Sequence, residues 1–158
     1  MAKKGKRKAA AGDVARNRQA SYRFHLLDTW EAGIQLQGSE VKSMRNGGVQ
    51  LKDAYATLEE GEVWLRNMHI APYAHAGRDG HDPERPRKLL LHKREIERLV
   101  GQMHQKGLTL VPTRIYFKGP YAKVELALGK GKDMRDKRRD LKAKDQKREI
   151  ERALREHR

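Results

Sequence analysis

Residues 108–128 read LTLVPTRIYFKGPYAKVELAL, and this stretch decides the fold. Its two halves, Leu108–Phe117 and Tyr121–Leu128, are rich in the β-branched and aromatic residues that favour strands. The Lys118-Gly119-Pro120 segment between them has the composition of a turn. The stretch therefore predicts a β-hairpin and indicates a sheet built from antiparallel neighbours.

A second hairpin is predicted upstream of the first. Val49–Leu58 and Glu62–Ile70 are extended runs, and Glu59-Glu60-Gly61 between them is a hairpin signal. Residues 71–87 contain three prolines and two glycines, a density that breaks both helices and strands. We therefore expect residues 71–87 to form a loop.

The chain before these hairpins also indicates strands. From residue 21 onward, apolar and polar side chains alternate between Tyr22 and Leu26, which is the two-residue period of a half-buried strand. Glu31–Gln37 is expected to form the next strand, after a bend at Asp28-Thr29.

Two helices are predicted. Ser39 is a candidate N-cap for a short helix over Glu40–Asn46, which Gly47 would end. Lys88–Gln105 is the stronger candidate, because apolar residues recur in it near helical spacing and Gly107 follows it.

These elements predict a mainly β fold with flanking helices, of about six strands and two helices. Many short antiparallel strands in a chain of this size favour a closed or partly closed sheet, since closure removes exposed edges. The expected architecture is an oligonucleotide-binding (OB) type antiparallel β-barrel followed by a basic C-terminal tail.

The positive charge is concentrated at the two ends of the chain. Lys and Arg number 36 against 21 Asp and Glu, a net charge of +15 that predicts a polyanionic partner. Residues 1–20 and 129–158 carry +6 each, whereas residues 21–128 carry only +3. We therefore predict a disordered basic arm over 1–20, a folded RNA-binding domain over 21–128 and a basic tail over 129–158.

The tail has too few apolar residues to dock firmly on the folded domain. Met134, Leu141, Ile150 and Leu154 form only a broken apolar stripe. Acid-before-base pairs at i,i+4 favour a helix by about 0.2–0.5 kcal/mol each, which is marginal for an isolated segment. We expect the tail to be unstructured when free and helical when its partner supplies the remaining stabilisation.

Several classes of protein are excluded or disfavoured. The chain has no cysteine, which excludes disulfides, thiolate metal sites and a cysteine nucleophile. No run of apolar residues exceeds three, whereas a membrane span needs about 20. These features predict a soluble, cytoplasmic protein with no membrane contact.

Candidate catalytic and metal-binding motifs are weak. His75, Asp79 and His81 are the nearest approach to a metal site, but a strong zinc pattern needs four tightly spaced ligands, so solvated histidines are favoured. Gly129-Lys130-Gly131-Lys132 lacks the Walker spacing, and Gly38-Ser39-Glu40 is not a nucleophile elbow. We predict that the chain is not an enzyme and has no metal and no cofactor.

RNA is the polyanion that the remaining residues favour. Cations neutralise phosphates, while flat side chains stack on unpaired bases. Basic and stacking side chains are interleaved in three clusters: Arg18, Tyr22, Arg23 and His25; Arg87, Lys88 and His92; Tyr116, Phe117, Lys118, Tyr121 and Lys123. Taken singly, Tyr22 and Phe117 are more typical of a core, so the RNA interpretation depends on the coincidence of all three clusters.

Six blocks of the chain carry a resemblance to a known family. They are Glu31-Ala32-Gly33, Gly38-Ser39-Glu40-Val41-Lys42-Ser43, Leu51-Lys52-Asp53-Ala54-Tyr55, His69-Ile70-Ala71-Pro72-Tyr73, Arg85-Pro86-Arg87-Lys88-Leu89-Leu90-Leu91-His92-Lys93 and Asp136-Lys137-Arg138. In this order they resemble the SsrA-binding protein family, also called small protein B. The resemblance runs from about Asn17 to the C-terminus.

The resemblance implies a non-enzymatic bacterial RNA-binding protein with an OB-type barrel. Members of the family bind the tRNA-like domain of transfer-messenger RNA and deliver it to stalled ribosomes for trans-translation. The tail is then expected to enter the decoding region and the empty mRNA path, and the free protein is expected to be a monomer. The alternative class is a general ribosome-associated or single-stranded RNA-binding protein.

The resemblance also implies two groups of site residues. The RNA-binding positions are Asn17, Arg18, Glu31, Lys88, Leu90, His92 and Lys123, and the expected decoding-region contacts are Lys130, Lys132, Arg135, Asp136, Lys137 and Arg138. A carboxylate such as Glu31 can accept hydrogen bonds from bases or ribose, hold a neighbouring arginine, or form only a surface salt bridge. The sequence leaves these three roles open.

Two positions depart from the family pattern. Many relatives have Tyr or His where this chain has Arg135, and many have Lys where it has Asp133. A planar guanidinium can stack on a base as well as pair with phosphate, so Arg135 can take the place of the ring.

Overall fold

The structure is a computed structural model, and it describes residues 12–77, 80–104 and 107–157. Within these ranges the chain forms strands and helices in the order β1 Asp13–Arg16, α1 Ala20–Arg23, β2 Phe24–Ile34, α2 Gly38–Arg45, β3 Val49–Gln50, β4 Tyr55–Glu59, β5 Glu62–Arg66, β6 His69–Ile70, β7 Arg87–Leu90, α3 Lys93–Met103, β8 Leu108–Lys118, β9 Tyr121–Gly131 and α4 Met134–Glu156. The predicted mainly β fold with flanking helices is confirmed.

Six of the strands pair in a closed circuit. Their order is β8, β4, β5, β7, β2 and β9, and β9 pairs again with β8. β1 extends the sheet from β8, while β3 and β6 form a separate pair. All of these pairings are antiparallel.

The apolar core lies inside this circuit. Alternate residues of each strand point inward, and the buried set includes Val63, Leu65, Leu89, Leu110, Ile115, Val124 and Leu126. Met44 of α2 and Leu99 of α3 complete the core from the helices. Phe117 packs against the same cluster, which agrees with its interpretation as a core residue.

The hairpin of residues 108–128 is confirmed and is longer than predicted. β8 pairs with β9 from Leu108 opposite Lys130 to Lys118 opposite Tyr121, with a register shift after Pro112, which has no N–H to donate. The strand continues to Gly131 because its last residues also pair with the start of β2. The predicted tail boundary at residue 129 therefore falls inside a strand.

The upstream hairpin is also confirmed, although its strands are shorter than predicted. β4 and β5 pair directly, and Glu60 and Gly61 make the turn with φ of 51° and 76°. The extended runs are broken at Asp53 and Asn67, whose φ values are 62° and 61°. These left-handed residues turn the chain, and the outer parts of the two runs pair separately as β3 and β6.

The second part of the predicted N-terminal arm contains a short strand. Residues 1–11 lie outside the described residues, but Asp13–Arg16 form β1 and pair with β8. The edge of β8 supplies hydrogen bonds that the local sequence does not reveal. Asp13 further accepts a hydrogen bond from Arg114 at 3.0 Å.

The predicted pair of strands over residues 21–37 is one short helix and one long strand. Tyr22 lies in α1, and β2 runs unbroken from Phe24 to Ile34. The expected bend is a bulge, because β2 advances from Leu26 to Thr29 while β9 advances only from Gly129 to Ala127. Alternation in the sequence could not distinguish a bulge from a turn.

Both predicted helices are present with altered starts. α2 begins at Gly38 after Gln37, so Ser39 is not the N-cap; its hydroxyl instead lies 2.9 Å from His81 Nδ1. α3 covers only Lys93–Met103, because Arg87–Leu90 form β7 between β5 and β2. Pairing on both sides overrides the helical pattern of that segment.

A buried ionic cluster fixes the 71–86 loop to the core. Glu40 and Arg87 are both fully buried and bonded to each other, and Arg85 also bonds to Glu40. Arg87 donates further to Met68 O at 2.6 Å and Pro83 O at 3.1 Å. Burial alone raises the pKa of Glu40, but the hydrogen bonds from both arginines outweigh it and hold the pKa below its ordinary value.

α4 extends from the sheet with no buried residue. Its N-cap is Asp133, whose side chain accepts the backbone N–H of Asp136 at 2.8 Å. Met134, Leu141, Ile150 and Leu154 are all exposed, as the broken apolar stripe predicted. None of the described helices is long and apolar enough to cross a membrane.

Candidate RNA-binding surface

The neighbouring strands β7, β2 and β9 bring four predicted RNA-binding residues into one cleft. Glu31, Leu90, His92 and Lys123 come from segments far apart in the sequence, yet all line a concavity of about 510 Å³ on the outside of the sheet. The sequence predicts strands around Glu31 and Lys123 but a helix around Leu90 and His92, and only the strand order of the structure brings the four residues together.

The floor of the cleft is a row of residues across the three strands. Gly33 pairs with Leu90 on one side and with Lys123 on the other. A Cβ at Gly33 would lie 3.3 Å from the Leu90 Cβ, so a side chain there would begin to fill the cleft. Glycine at this position lets a ligand approach the backbone between an apolar and a cationic side chain.

The cleft has an apolar and aromatic wall. Leu90 is 48% exposed although Leu89 beside it is buried, because successive residues of a strand face opposite sides. Tyr121 lines the same cleft and is 70% exposed. Tyr121 belongs to one of the three basic and aromatic clusters of the sequence but was not predicted as a site residue. The sequence next to a turn does not show which way an aromatic ring points.

His92 lies at the rim of the cleft as the N-cap of α3. Its backbone N–H donates to Glu95 Oε2 at 3.1 Å, and its side chain is exposed. The first turn of α3 therefore fixes the position of His92 and leaves its imidazole available to a ligand.

Glu31 is held by its neighbours on β8. The Tyr116 hydroxyl donates to Glu31 Oε2, and Lys118 Nζ lies 3.4 Å from Oε1. The hydrogen bond from Tyr116 is the main cause that lowers the pKa of Glu31. Desolvation, followed by the hydrogen bond to Glu31, raises the pKa of Tyr116 to about 12. In the structure the Glu31 carboxylate is paired with surface neighbours, which corresponds to the third role named in the sequence analysis. The partners are Tyr116 and Lys118, and neither is an arginine.

Arg114 continues this polar layer along the outer face of the sheet. Its guanidinium lies 4.4 Å from the centre of the Tyr116 ring and bonds to Glu125 at 2.7 Å. The hydrogen bond to Glu125, followed by that to Asp13, raises the pKa of Arg114. Tyr116 is thus held between a carboxylate and a guanidinium.

Lys88 lies outside the cleft, although it is near Leu90 on β7. Its Nζ is 2.8 Å from Glu62 Oε1, and this contact lowers the pKa of Glu62. Lys88 is therefore already paired in this structure.

Asn17 and Arg18 line a second depression rather than the cleft. Asn17 is bound to β8 through its N–H to Thr113 O at 2.8 Å and its Nδ2 to Pro112 O at 3.1 Å. Glu125, which also lines this depression, follows Lys123 on the same face of β9, so the depression adjoins the cleft. Lys144 of α4 lines its other side.

The predicted decoding-region residues lie at the opposite end of β9. Lys132 binds Ser21 O through Nζ at 2.8 Å and Arg23 O through its N–H at 2.9 Å. Asp136 Oδ2 lies 3.2 Å from His25 Nε2, a contact that lowers the pKa of Asp136. Lys130, Arg135 and Arg138 are exposed around the same point.

Tyr22 belongs to this second group, which corrects its interpretation as a core residue. It is 46% exposed, and Lys137 Nζ lies 5.5 Å from its ring centre. From Phe24 to Gly33 the strand spans roughly 30 Å at about 3.3 Å per residue. The four cleft residues and the predicted decoding-region residues therefore lie at opposite ends of the β2–β9 pair.

The histidines of the weak metal motif, His75 and His81, make other contacts in the structure. Asp79 lies outside them, and His81 is buried, with Nδ1 against the Ser39 hydroxyl and Nε2 3.0 Å from Ile70 O. The expectation of a solvated loop histidine is therefore wrong for His81. His75 packs edge-on against Tyr73, and no cluster of three metal-ligating side chains occurs in the part of the chain that the structure describes.

Fold and surface define a basic, mainly β protein whose outer face carries an open cleft with apolar, aromatic and cationic walls. The family model described as SmpB protein matches residues 14–156. The chain belongs to the SmpB protein family.

Relatives and a solved structure agree with this family. The SsrA-binding protein of Carboxydothermus hydrogenoformans is 57% identical over 142 residues, covering 90% of this chain and 95% of the relative. That of Geobacillus thermodenitrificans is 54% identical over 143 residues, covering 90% and 92%. A chain from a structure described as "tmRNA-SmpB: a journey to the center of the bacterial ribosome" matches with a TM-score of 0.65 and 47% identity, covering 80% of this chain and 93% of that chain.

Proposed function

We propose that this chain binds the tRNA-like domain of transfer-messenger RNA and delivers it to stalled ribosomes for trans-translation and ribosome rescue. The observation that carries the proposal is the convergence of Glu31, Leu90, His92 and Lys123 on one cleft. Membership of the SmpB protein family and a related chain described with transfer-messenger RNA in the ribosome support it.

The cleft has the chemistry that folded RNA requires. Lys123 supplies the positive charge for a phosphate, and Gly33 between Lys123 and Leu90 lets the ribose-phosphate backbone approach the sheet. Leu90 and Tyr121 offer surfaces against which unpaired bases pack. Glu31 orients Tyr116 and can exchange that hydrogen bond for one to a ribose hydroxyl.

At the other end, α4 is the segment that meets the ribosome. Residues 129–158 carry 13 basic residues, which an RNA-lined path attracts. Lys130, Lys132, Arg135, Asp136, Lys137 and Arg138 are the proposed contacts in the decoding region. Asp136 and Lys137 first have to leave His25 and Tyr22, so these contacts are exchanged rather than simply formed.

The chain is proposed to have three parts: a basic arm over 1–20, whose Asp13–Arg16 segment pairs with β8, a folded domain over 21–128, and a tail over 129–158. In the tail, residues 129–131 complete β9, and the rest exchanges between disorder and helix when free and is helical on the ribosome. The closed circuit of strands supports a barrel for the folded domain, and we propose that it is of the OB type. In this proposal the chain is not an enzyme, needs no cofactor, is a monomer when free and acts in the cytoplasm.

A competition experiment tests the proposal against a general RNA-binding role. Labelled tRNA-like domain, tRNA and random single-stranded RNA compete for the full chain at physiological salt. We expect the tRNA-like domain to bind at least about tenfold more tightly than random RNA. The substitution Lys123→Gln should reduce this preference, whereas Lys93→Gln removes the same charge from α3, outside the cleft, and should preserve it. Equal binding of all three RNAs would favour a general ribosome-associated or single-stranded RNA-binding protein.

A further inference from the structure

A third concavity, distinct from the cleft and from the depression at Asn17 and Arg18, lies at the α4 end of the molecule. It has a volume of about 240 Å³ and is lined by Arg23 and Phe24, by Asp53 and Tyr55, and by Thr109 and Val111 of β8. Pockets for drug-sized ligands measure about 300–1,000 Å³, so this cavity suits a smaller group. Asp53 and Tyr55 belong to the block of residues 51–55 that carries part of the family resemblance. The proposed function assigns no role to this block.

Charged groups stand at the mouth of the cavity. Arg23 Nη1 donates to Asp53 Oδ1 at 2.7 Å, and both side chains are roughly half exposed. Among the described residues this is the one hydrogen bond of the Asp53 side chain, so Oδ2 can accept another. The left-handed backbone of Asp53, with φ of 62°, holds its carboxylate at the mouth without help from a strand.

The walls are apolar and aromatic. Tyr55 is partly exposed beside the ion pair, and Phe24 and Val111 form the inner surface. Flat aromatic walls with polar groups at one edge are the usual surroundings of an unpaired base bound by protein.

The order of donors and acceptors at the mouth selects one base. The Arg23 guanidinium keeps further N–H donors beside the one that it gives to Asp53, and the carboxylate next to it has two acceptor oxygens, so the pair presents a donor followed by two acceptors. The Watson–Crick edge of guanine offers an acceptor, O6, followed by two donors, N1–H and the N2 amino group. Adenine and cytosine present a donor to the arginine, and uracil presents an acceptor to Oδ2, so each of these bases has at least one mismatch.

We propose that this cavity binds one unpaired guanine base of RNA, with Arg23 on O6 and Asp53 on N1–H and the N2 amino group. The cavity adjoins the start of α4, because the Lys132 N–H donates to Arg23 O. A bound guanine would therefore lie beside the proposed decoding-region contacts. The proposal requires only that the chain meets RNA and does not depend on which RNA the cleft prefers.

The test uses the full chain and short fluorescent oligouridines that carry one central guanosine, inosine or adenosine. The basic ends of the protein attract all three probes equally, so differences in affinity report the central base. We expect guanosine to bind about tenfold more tightly than adenosine. Inosine lacks the N2 amino group and should lose about fivefold, since Asp53 Oδ2 is then left without its partner.

Asp53→Asn places an amide where the second acceptor is needed. Asparagine tolerates the left-handed backbone as well as aspartate does, so the fold should be retained. The matched control is Glu60→Gln, which removes one carboxylate from another exposed residue with positive φ. We expect Asp53→Asn to abolish the preference for guanosine over inosine and Glu60→Gln to preserve it.

Amide chemical shifts locate the binding site in the same titrations. Guanosine-dependent shifts should concentrate at Asp53, Tyr55 and Thr109, and not at Gly33 in the cleft. Absence of a base preference in the unmodified chain, a preference that survives Asp53→Asn, or guanosine-dependent shifts at Gly33 would each overturn the proposal. None of these results bears on binding of the tRNA-like domain, which the Lys123→Gln experiment tests separately.

Discussion

At one end of the β2–β9 pair the candidate cleft is made from strands that meet through long-range pairing, whereas at the other end α4 leaves the sheet with no buried residue. The cleft owes its geometry to the core beneath it. α4 owes its helix to local sequence, an aspartate cap and a few exposed contacts with α1 and β2. Changes in the core should therefore affect the cleft, whereas changes in α4 should affect function without affecting stability.

The largest expected effect comes from the buried ionic cluster of Glu40, Arg85 and Arg87. Arg87→Met leaves the buried Glu40 carboxylate without its fully buried partner and should cost about 3–5 kcal/mol in the free energy of unfolding. Urea denaturation measures the loss. Arg85→Met removes the partly exposed partner of the same carboxylate and should cost clearly less. Equal losses for the two variants would show that burial of Arg87 is not what matters.

Acid should weaken the same ionic cluster. The folded-state pKa of Glu40 is lowered, so its contribution is complete above the ordinary carboxyl value of 4.5 and is lost as pH falls through the folded pKa. The urea midpoint should therefore decrease below about pH 4.5 in the unmodified chain. In Glu40→Gln the starting stability should be lower and this part of the decrease should disappear. An unchanged acid profile in that variant would contradict the assignment.

Two truncations separate the strand from the helix. Removal of all residues after Leu128 also removes the pairing of Gly129–Gly131 with β2 and should cost about 1–2 kcal/mol. Removal after Lys132 leaves that pairing intact and should change stability by less than about 0.5 kcal/mol. Both truncations should abolish peptide tagging on stalled ribosomes. Tagging by either truncated protein would contradict the role proposed for α4.

Within the cleft, stability and binding should separate. Leu90 is half exposed, so Leu90→Ala should change the free energy of unfolding by less than about 1 kcal/mol while weakening binding of the tRNA-like domain about tenfold. Lys123→Gln should reduce the slope of log affinity against log salt by about one. Buried Leu89→Ala is the matched comparison and should instead unfold the chain more easily.

The smallest effect is expected where α4 meets β2. His25→Ala removes the contact with Asp136 and should speed hydrogen exchange in the first turn of α4 severalfold without changing exchange in the core strands. Exchange that increases along β2 as well would show that the contact supports the sheet and not only the helix.

The contrast between the two ends also explains what the sequence could predict. The hairpins of residues 108–128 and 55–66 depend on local pattern and turn residues, and both were predicted. β1 and β7 were missed because each forms only where a distant strand offers an unpaired edge. The helical spacing within Lys88–Gln105 correctly indicates α3, but the first residues of that segment belong to β7, which pairs on both sides.

The candidate site divides in the same way. The resemblance supplied Glu31, Leu90, His92 and Lys123 as separate positions, and the strand order brought them together. Tyr121 and the Tyr116–Glu31 hydrogen bond could not be predicted, because the direction of an exposed ring depends on its neighbours across the sheet. Ser39 and His81 each had a plausible local role, yet they contact each other across 42 positions of sequence.

The bulge in β2 sets the relative phase of the two ends. Because one extra residue lies between Leu26 and Thr29, Leu26 faces outward together with Glu31 even though their positions differ in parity. Deletion of that residue would turn the preceding part of β2 by half a turn, so that Phe24 and His25 would each move to the opposite face of the sheet. The cleft residues, which follow the bulge, would keep their positions. Insertions of two residues here would preserve the phase and insertions of one would not. The length of this segment can therefore change only in even steps if the cleft and the helix are to keep their relative orientation.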